Sequence, residues 1–201
     1  MTKKIVICLD AAHGVDVPGK RSPDGKHREY LWSRKIVSDI DVVAKALGYE
    51  TYMTTTSEKE IGLVNRRNKA ESLVVKPGQT KVLLSIHNNA AGSGEKWMPA
   101  RGFEIWTRKG FDGADVLAEL MFKSTESWFP KIKKRYASSG EYEKDKEGKL
   151  YMTNSSKYLG LLLEWGFQDN KEDVEILSDD RYNKALADCI MDAIEAFEKL
   201  L

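Results

Sequence analysis

The chain has 201 residues, enough for one α/β domain with a complete core and little more. Its 32 Lys and Arg stand against 31 Asp and Glu, a formal charge of +1, so no net positive field gathers phosphates and no nucleic-acid partner is expected. Met1-Thr2-Lys3-Lys4 precedes only five apolar residues before Asp10, short of the roughly 7–15 of a secretory signal core, and no run nears the ~18 of a membrane span. Synthesis in the cytoplasm without a signal peptide, and no membrane anchoring, are the expectations.

Apolar runs alternate with amphipathic stretches, which predicts an α/β fold: a single domain over residues 1–201 with a mostly parallel central sheet of about five to six strands and helices on both faces. Ile5–Leu9 is the first strand, almost continuously apolar as a strand covered on both sides should be. A loop bearing Gly and Pro runs from Ala11 to about Lys26. The first helix carries Leu31, Ile36, Ile40, Val43 and Leu47 on one stripe and stops at Gly48. Tyr49–Thr54 reads as a second strand, Ile61–Val75 as a helix ended by Pro77-Gly78, and Lys81–Ile86 as the third strand. A polar loop to Ala100 leads into a fourth strand, Gly102–Thr107, where Trp106 is expected to pack in the core. A helix marked by Ala114, Leu117, Ala118, Met121 and Phe122 follows. Lys131–Asn154 is highly charged and is read as a long loop with room for a hairpin, either a solvated surface or one wall of a substrate groove. Leu159–Leu163 is the fifth strand and Asp180–Leu201 the closing helix. Cys8 lies in the first strand and Cys189 on the apolar stripe of that helix, so both are assigned to the core.

The reactive residues gather at strand ends. Of the three histidines, His13 follows the first strand and His87 the third, while Glu164 follows the fifth. Ligands of open parallel sheets bind at the carboxyl ends of strands, so these three are predicted to share one mouth. A catalytic zinc takes three protein ligands and keeps a position open for water. His13 and His87 supply two, and the third is either His27 or a carboxylate. Glu29 is better placed, at a helix start where a negative charge is favoured, whereas His27 lies between Lys26 and Arg28 and is expected to be exposed. A carboxylate such as Glu164, ending a buried strand, is costly unless paired, for instance with Arg67, or used in proton transfer. Asn88 and Asn89 either orient the turn or contact substrate. Trp97 and Arg67 are further candidates for substrate binding. Gly14 and Gly166 suit a close approach of backbone.

Those residues carry a family resemblance. Leu9-Asp10-Ala11-Ala12-His13-Gly14, Glu29 at a helix start, Arg67 with Ala70, Leu84-Ser85-Ile86-His87-Asn88-Asn89-Ala90, Gly102-Phe103-Glu104-Ile105 and Leu163-Glu164-Trp165-Gly166-Phe167-Gln168-Asp169-Asn170 follow in the order seen in zinc-dependent N-acetylmuramoyl-L-alanine amidases of the Amidase_3 type. The chain resembles that family from Ile5 almost to its end. The resemblance implies one Zn2+ held by His13, Glu29 and His87, with Glu164 as general base and acid. The implied reaction is hydrolysis of the amide between N-acetylmuramic acid and L-alanine of peptidoglycan. Three departures stand out: Ala11 and Ala12 replace a Pro-Gly pair, Trp165 stands where Thr or Ser is usual, and Ser33-Arg34 occupies a stretch where the family carries Asn. Trp165 is expected to affect the pocket lining. A catalytic domain with no separate cell-wall-binding domain looks most like a phage or prophage endolysin, which accumulates in the cytoplasm and reaches the wall when a holin opens the membrane.

Two other readings use the same residues. A zinc carboxypeptidase or endopeptidase acting on stem peptides would need an arginine for a terminal carboxylate, and Arg67, Arg101 and Arg135 are available. A non-catalytic wall-binding or regulatory module has no need for Glu164. The bond cleaved in peptidoglycan separates the three.

Overall fold

Seven consecutive buried residues make β1 (Ile5–Ala11), the strand around which the sheet is assembled. The structure, a computed structural model, describes residues 3–137 and 144–201. Next in the chain come α1 (Glu29–Ala46), β2 (Glu50–Met53), α2 (Leu63–Ser72), β3 (Thr80–Asn89), β4 (Phe103–Thr107) and α3 (Gly113–Trp128). The chain continues through β5 (Lys146–Glu147), β6 (Leu159–Phe167), α4 (Lys171–Leu177) and α5 (Asp180–Glu198). The sheet order is β2-β1-β3-β6-β4-β5. β2, β1, β3 and β6 run parallel, β4 returns antiparallel to β6, and β5 lies parallel to β4. This is the mostly parallel six-strand α/β sheet expected.

Side-chain alternation divides the sheet into two unlike faces. Ile5, Ile7, Leu9 and Ala11 of β1, Val82, Leu84 and Ile86 of β3, and Leu161, Leu163 and Trp165 of β6 enter the main core beneath α1, α3 and α5. Cys8 and Leu83 point the other way and meet Ala70 of α2 with Met152 and Tyr158. Helices thus cover both faces, three against one. Further along the α2 face the strands carry Asp10, Ser85, His87, Glu104 and Glu164 instead of apolar residues. Asp10, Ser85 and Glu104 stay buried, and the acidic groups gather at this end.

Helix ends follow elementary chemistry. Asp112 caps α3 in a capping box with Asp115. Asn170 and Asp179 cap α4 and α5 with side-chain oxygens. Buried Lys81 donates to the carbonyls of Ala70, Glu71 and Leu73 at 2.6, 3.1 and 2.8 Å, satisfying the C-terminal end of α2.

Several expectations are corrected. The buried stripe of α1 is Trp32, Ile36, Val37, Ile40 and Ala44, whereas Leu31 and Leu47 are exposed, because the helix is turned so that Trp32 reaches Asn183 of α5. α2 is shorter than the apolar pattern implied, and α4 was not foreseen at all. β3 and β6 run past His87 and Glu164, which therefore lie within strands. Trp106 is half-buried on the polar face, bonded to Glu104, while Trp165 is the tryptophan fully inside the core, stacked on Phe103 at 4.0 Å. Trp165 thus points into the core, to the face opposite Glu164. In the charged segment, Lys134 bridges Phe103 and β5 pairs with β4; residues 138–143, where a hairpin was expected, lie outside the described residues.

Candidate active site

The chain leaves β1 for β2 on one side and later enters β3 on the other, so the sheet changes direction between β1 and β3. That crevice is where parallel sheets bind ligands. His13 sits just beyond β1 and His87 near the end of β3, on the two sides of it. Glu29 reaches it from the first turn of α1.

His13 is held in the left-handed region, at φ 47°. Such backbone costs on the order of 1–3 kcal/mol in a residue with a Cβ and must be held by its surroundings. Ala12 N–H donates to Ser33 Oγ at 2.8 Å, and Ser33 Oγ–H donates to the Ile86 carbonyl at 2.6 Å, tying the ends of β1 and β3 to α1. Arg34 Nη1 donates to the Ala12 carbonyl at 3.1 Å and its Nη2 to that of Ser57 at 2.7 Å. Ser33 and Arg34, noted in the sequence as departures from the family pattern, here support the His13 loop. Gly14 is required by space: a Cβ there would lie 2.0 Å from the Glu60 nitrogen. At Gly166, φ 72° and contact with Asp173 explain the second glycine.

The ligand atoms of His13, Glu29 and His87 all lie within 4.8 Å of one another, the only such group found among the described residues. Glu29 Oε1 is 3.0 Å from His87 Nδ1 and 3.5 Å from His13 Nε2, and it accepts the Asn88 N–H at 3.1 Å. Ligands about 2.0–2.2 Å from one tetrahedral ion would stand roughly 3.3–3.5 Å apart, so the cluster is near that spacing. Glu29 Oε2 is buried with no hydrogen-bond partner. A buried carboxylate oxygen with nothing to accept from is what a metal position would leave behind, and the donor set of two imidazoles and a carboxylate fits a divalent ion.

Electrostatics divides the two imidazoles. Burial drives the His13 imidazole down to about 4 in spite of Glu29, so it is neutral with a free lone pair at pH 7. Burial opposes charge on His87 and on Glu29 as well, but their hydrogen bond and mutual attraction prevail: His87 is raised and Glu29 is held below its usual range. His27, expected at the surface, is buried, because its Nε2–H donates to Asn88 Oδ1 at 2.8 Å. Asn88 completes that clamp by donating from Nδ2 to the Trp165 carbonyl at 2.6 Å. It is a buried brace behind the cluster, its polar atoms committed to protein partners.

Glu164 is the register partner of His87 on one side and of Glu104 on the other. Its Oε2 is buried without a hydrogen-bond partner, and burial pushes the carboxyl up to about 7. Glu104 meets the opposite fate. Asn89 Nδ2, Trp106 Nε1, Arg135 Nε and Lys146 Nζ donate to it at 2.8, 2.9, 2.8 and 2.6 Å, and it stays ionised. Asn89 is thereby oriented at the edge of the site. Alternation in Phe103-Glu104-Ile105 could have placed Glu104 beside Glu164, but nothing local marks it as saturated.

The structure sets Arg67 apart from this group. Its Nε donates to Glu71 at 2.7 Å and its guanidinium lies over Tyr151, so it makes no pair with Glu164. Arg66 is the arginine beneath the strand ends: it is buried and donates to Asp10 Oδ2 and the Ala11 carbonyl, each at 3.1 Å. Arg66 and Ala70 are four apart and share the inner face of α2, a spacing visible in the sequence. Asp10 also accepts from Ser85 at 2.6 Å and from Thr54 at 2.5 Å. Trp97 is half-buried in the β3–β4 loop, beside Met98, which is tied to Asp169 and Asn170; Lys171 lies over its ring.

The sequence matches the Amidase_3 family, N-acetylmuramoyl-L-alanine amidase, over residues 7–196. Among solved structures, the N-acetylmuramoyl-L-alanine amidase of Clostridium difficile 630 is similar at 22% identity, covering 98% of this chain and 97% of that one, with a TM-score of 0.81. The catalytic domain of CwlV, an N-acetylmuramoyl-L-alanine amidase of Bacillus (Paenibacillus) polymyxa var. colistinus, is similar at 20% identity over 100% of both chains, with a TM-score of 0.77. The catalytic domain of the CD27L endolysin, which targets Clostridia difficile, is similar at 18% identity, covering 94% of this chain and 96% of that one, with a TM-score of 0.66. These likenesses are of fold. No curated protein sequence matches the chain. No helix of the described residues is long and apolar enough to cross a membrane. Matched over nearly its whole length, the chain belongs to the N-acetylmuramoyl-L-alanine amidase family Amidase_3, whose members are peptidoglycan hydrolases.

Proposed function

We propose that the chain hydrolyses the amide joining the lactyl carboxyl of N-acetylmuramic acid to L-alanine, with His13, Glu29 and His87 as zinc ligands and Glu164 as the proton carrier. The observation that carries this reading is the half-buried Glu164 carboxyl beside His87: its Oε2 is buried without a partner, and it is pushed up to about 7. A group of that pKa accepts a proton readily near neutral pH and gives it back as readily. Bound at the three ligands, zinc would polarise the scissile carbonyl and acidify water. Glu164 takes the proton of the attacking water and delivers it to the alanine nitrogen as the carbon–nitrogen bond breaks. Neutral His13 and ionised Glu29 are in the protonation states that metal binding needs. Glu104, saturated by four donors, stays an anion and does not compete for the proton. Asn89, bonded to Glu104, and Trp97, in the loop above the β3 end, are the residues proposed to meet the glycopeptide.

The test is product analysis on purified peptidoglycan with and without a chelator and zinc add-back. New N-terminal alanine with intact glycan strands, abolished by chelation and restored by zinc, is the expected outcome. Cleavage within the stem peptide would sink the proposal. The fold likeness to an endolysin catalytic domain supports a role in lysis from within, with a holin giving access to the wall. Coexpression with a membrane-permeabilising holin should then lyse cells that expression of the chain alone leaves intact.

A further inference from the structure

Between β1 and α1 the chain builds a small hairpin: Arg21 bridges Arg28, Ser22 N–H donates to the His27 carbonyl at 2.9 Å, and Glu29 N–H donates to that of Lys20 at 3.1 Å. A cavity of about 200 Å³ opens against it, lined by Lys20, Arg21, Arg28 and the backbone from Val15 onward. None of these three cations is ion-paired with a carboxylate among the described residues. Arg28 is positioned on its outer nitrogens only. Its Nη2 donates to the Val15 carbonyl at 3.3 Å and its guanidinium lies 4.9 Å from the Tyr30 ring, while Nε is buried with no acceptor. Asp16, the one acid in the lining, accepts the Glu60 N–H at 2.8 Å. Lys20 is bonded to the Glu29 backbone, Arg28 directly precedes Glu29 and Val15 lies two residues past His13, so the cavity adjoins the site.

On the opposite flank, by contrast, Arg135 and Lys146 are both answered by Glu104. Cations clustered beside a reactive centre and ion-paired with no acid are matched by an anion from outside. Resting on the amidase reading above, we infer that Lys20, Arg21 and Arg28 form a subsite for a free carboxylate of the stem peptide, on the alanine side of the scissile amide. The subsite would make the enzyme discriminate between stem peptides with free and with amidated carboxylates.

The test compares Lys20→Gln, Arg21→Gln and Arg28→Gln in the full chain, using two probes: a peptide beginning at L-alanine with free carboxylates, and its fully amidated counterpart. Calorimetric titration should show the free-acid peptide binding more tightly, with each substitution weakening it about tenfold and leaving the amidated peptide within twofold. With muropeptide substrates the same loss should fall on KM more than on kcat. Because Arg21 is exposed and Lys20 only half-buried, their variants test the idea even if Arg28→Gln does not fold. Equal binding of the two peptides, or equal losses for both in every variant, would overturn the proposal. So would a glycerol-phosphate polymer that binds through these residues while the peptide does not. If the muramoyl–alanine bond is not cut but free-acid binding still depends on Lys20 and Arg21, the subsite stands and the amidase reading falls.

Discussion

Glu29 and Glu164 lie at the same sheet edge, both largely withdrawn from water, and their chemistry diverges. Glu29, on the first turn of α1, has an imidazole at 3.0 Å and a backbone N–H at 3.1 Å on one oxygen, and it is held ionised. Glu164, on β6, has no such donors on its buried oxygen and is pushed up to about 7. Burial penalises both charges alike; what separates them is the number of donors that neighbouring elements bring. One is thereby made a fixed anion, the other a movable proton.

Removing the fixed anion has the largest expected effect. Glu29→Gln should lose bound zinc and hydrolysis together, read by metal analysis of the purified chain and by alanine release. A variant that kept full metal occupancy would break the comparison. Next, Glu164→Gln should keep the metal but lower kcat/KM by roughly 10²–10⁴, the range of a general acid–base group.

The third prediction concerns stability of the metal-free chain. Glu164 is raised from 4.5 to about 7, so between those values the folded state holds a proton that the unfolded state releases. Stability therefore falls as pH rises through that window, and the full cost is present above it. Glu164→Gln should be more stable than the parent at pH 8 by on the order of 3 kcal/mol, with the difference fading towards pH 4. Urea melts at several pH values measure it, and a pH-independent difference would refute the assigned origin. The smallest effect is expected at Asn88, which supports Glu29 through its backbone and braces His27 and Trp165 through its side chain. Asn88→Ala keeps the backbone N–H that Glu29 accepts, so zinc affinity should fall less than about tenfold, the loss expected when a ligand's own supporting contact goes, while the Glu164 stability profile stays in place.

The strands were legible because each is an apolar run bounded by polar residues, and Ile5–Leu9, Lys81–Ile86 and Leu159–Leu163 all fall inside observed strands. Their ends were less so. β3 and β6 continue through His87 and Glu164 because neighbouring strands still pair there, which composition does not reveal. α4 escaped notice because seven residues carry too little periodicity; its sign is the Asn170 cap bonded to Asp173. At the site, residue type and position at strand ends singled out His13, His87 and Glu164, and the helix start favoured Glu29. The arginine buried beneath the strand ends is Arg66, while Arg67 pairs with Glu71, because one residue along a helix turns the side chain by about 100°.

Residue order alone therefore determined which groups could do chemistry here and on which elements they ride, since hydrophobic periodicity sets strands and helices locally. The tertiary structure decided what state those groups are in. His27 is buried because Asn88 receives it, Trp165 faces the core because β6 keeps its alternation past Glu164, and Glu104 is silenced by one donor from its own strand and three from distant segments. Glu164 is left with an unpartnered oxygen because no such donor reaches it. Protonation depends on neighbours, and in this fold most neighbours of these carboxylates come from segments far apart in the chain.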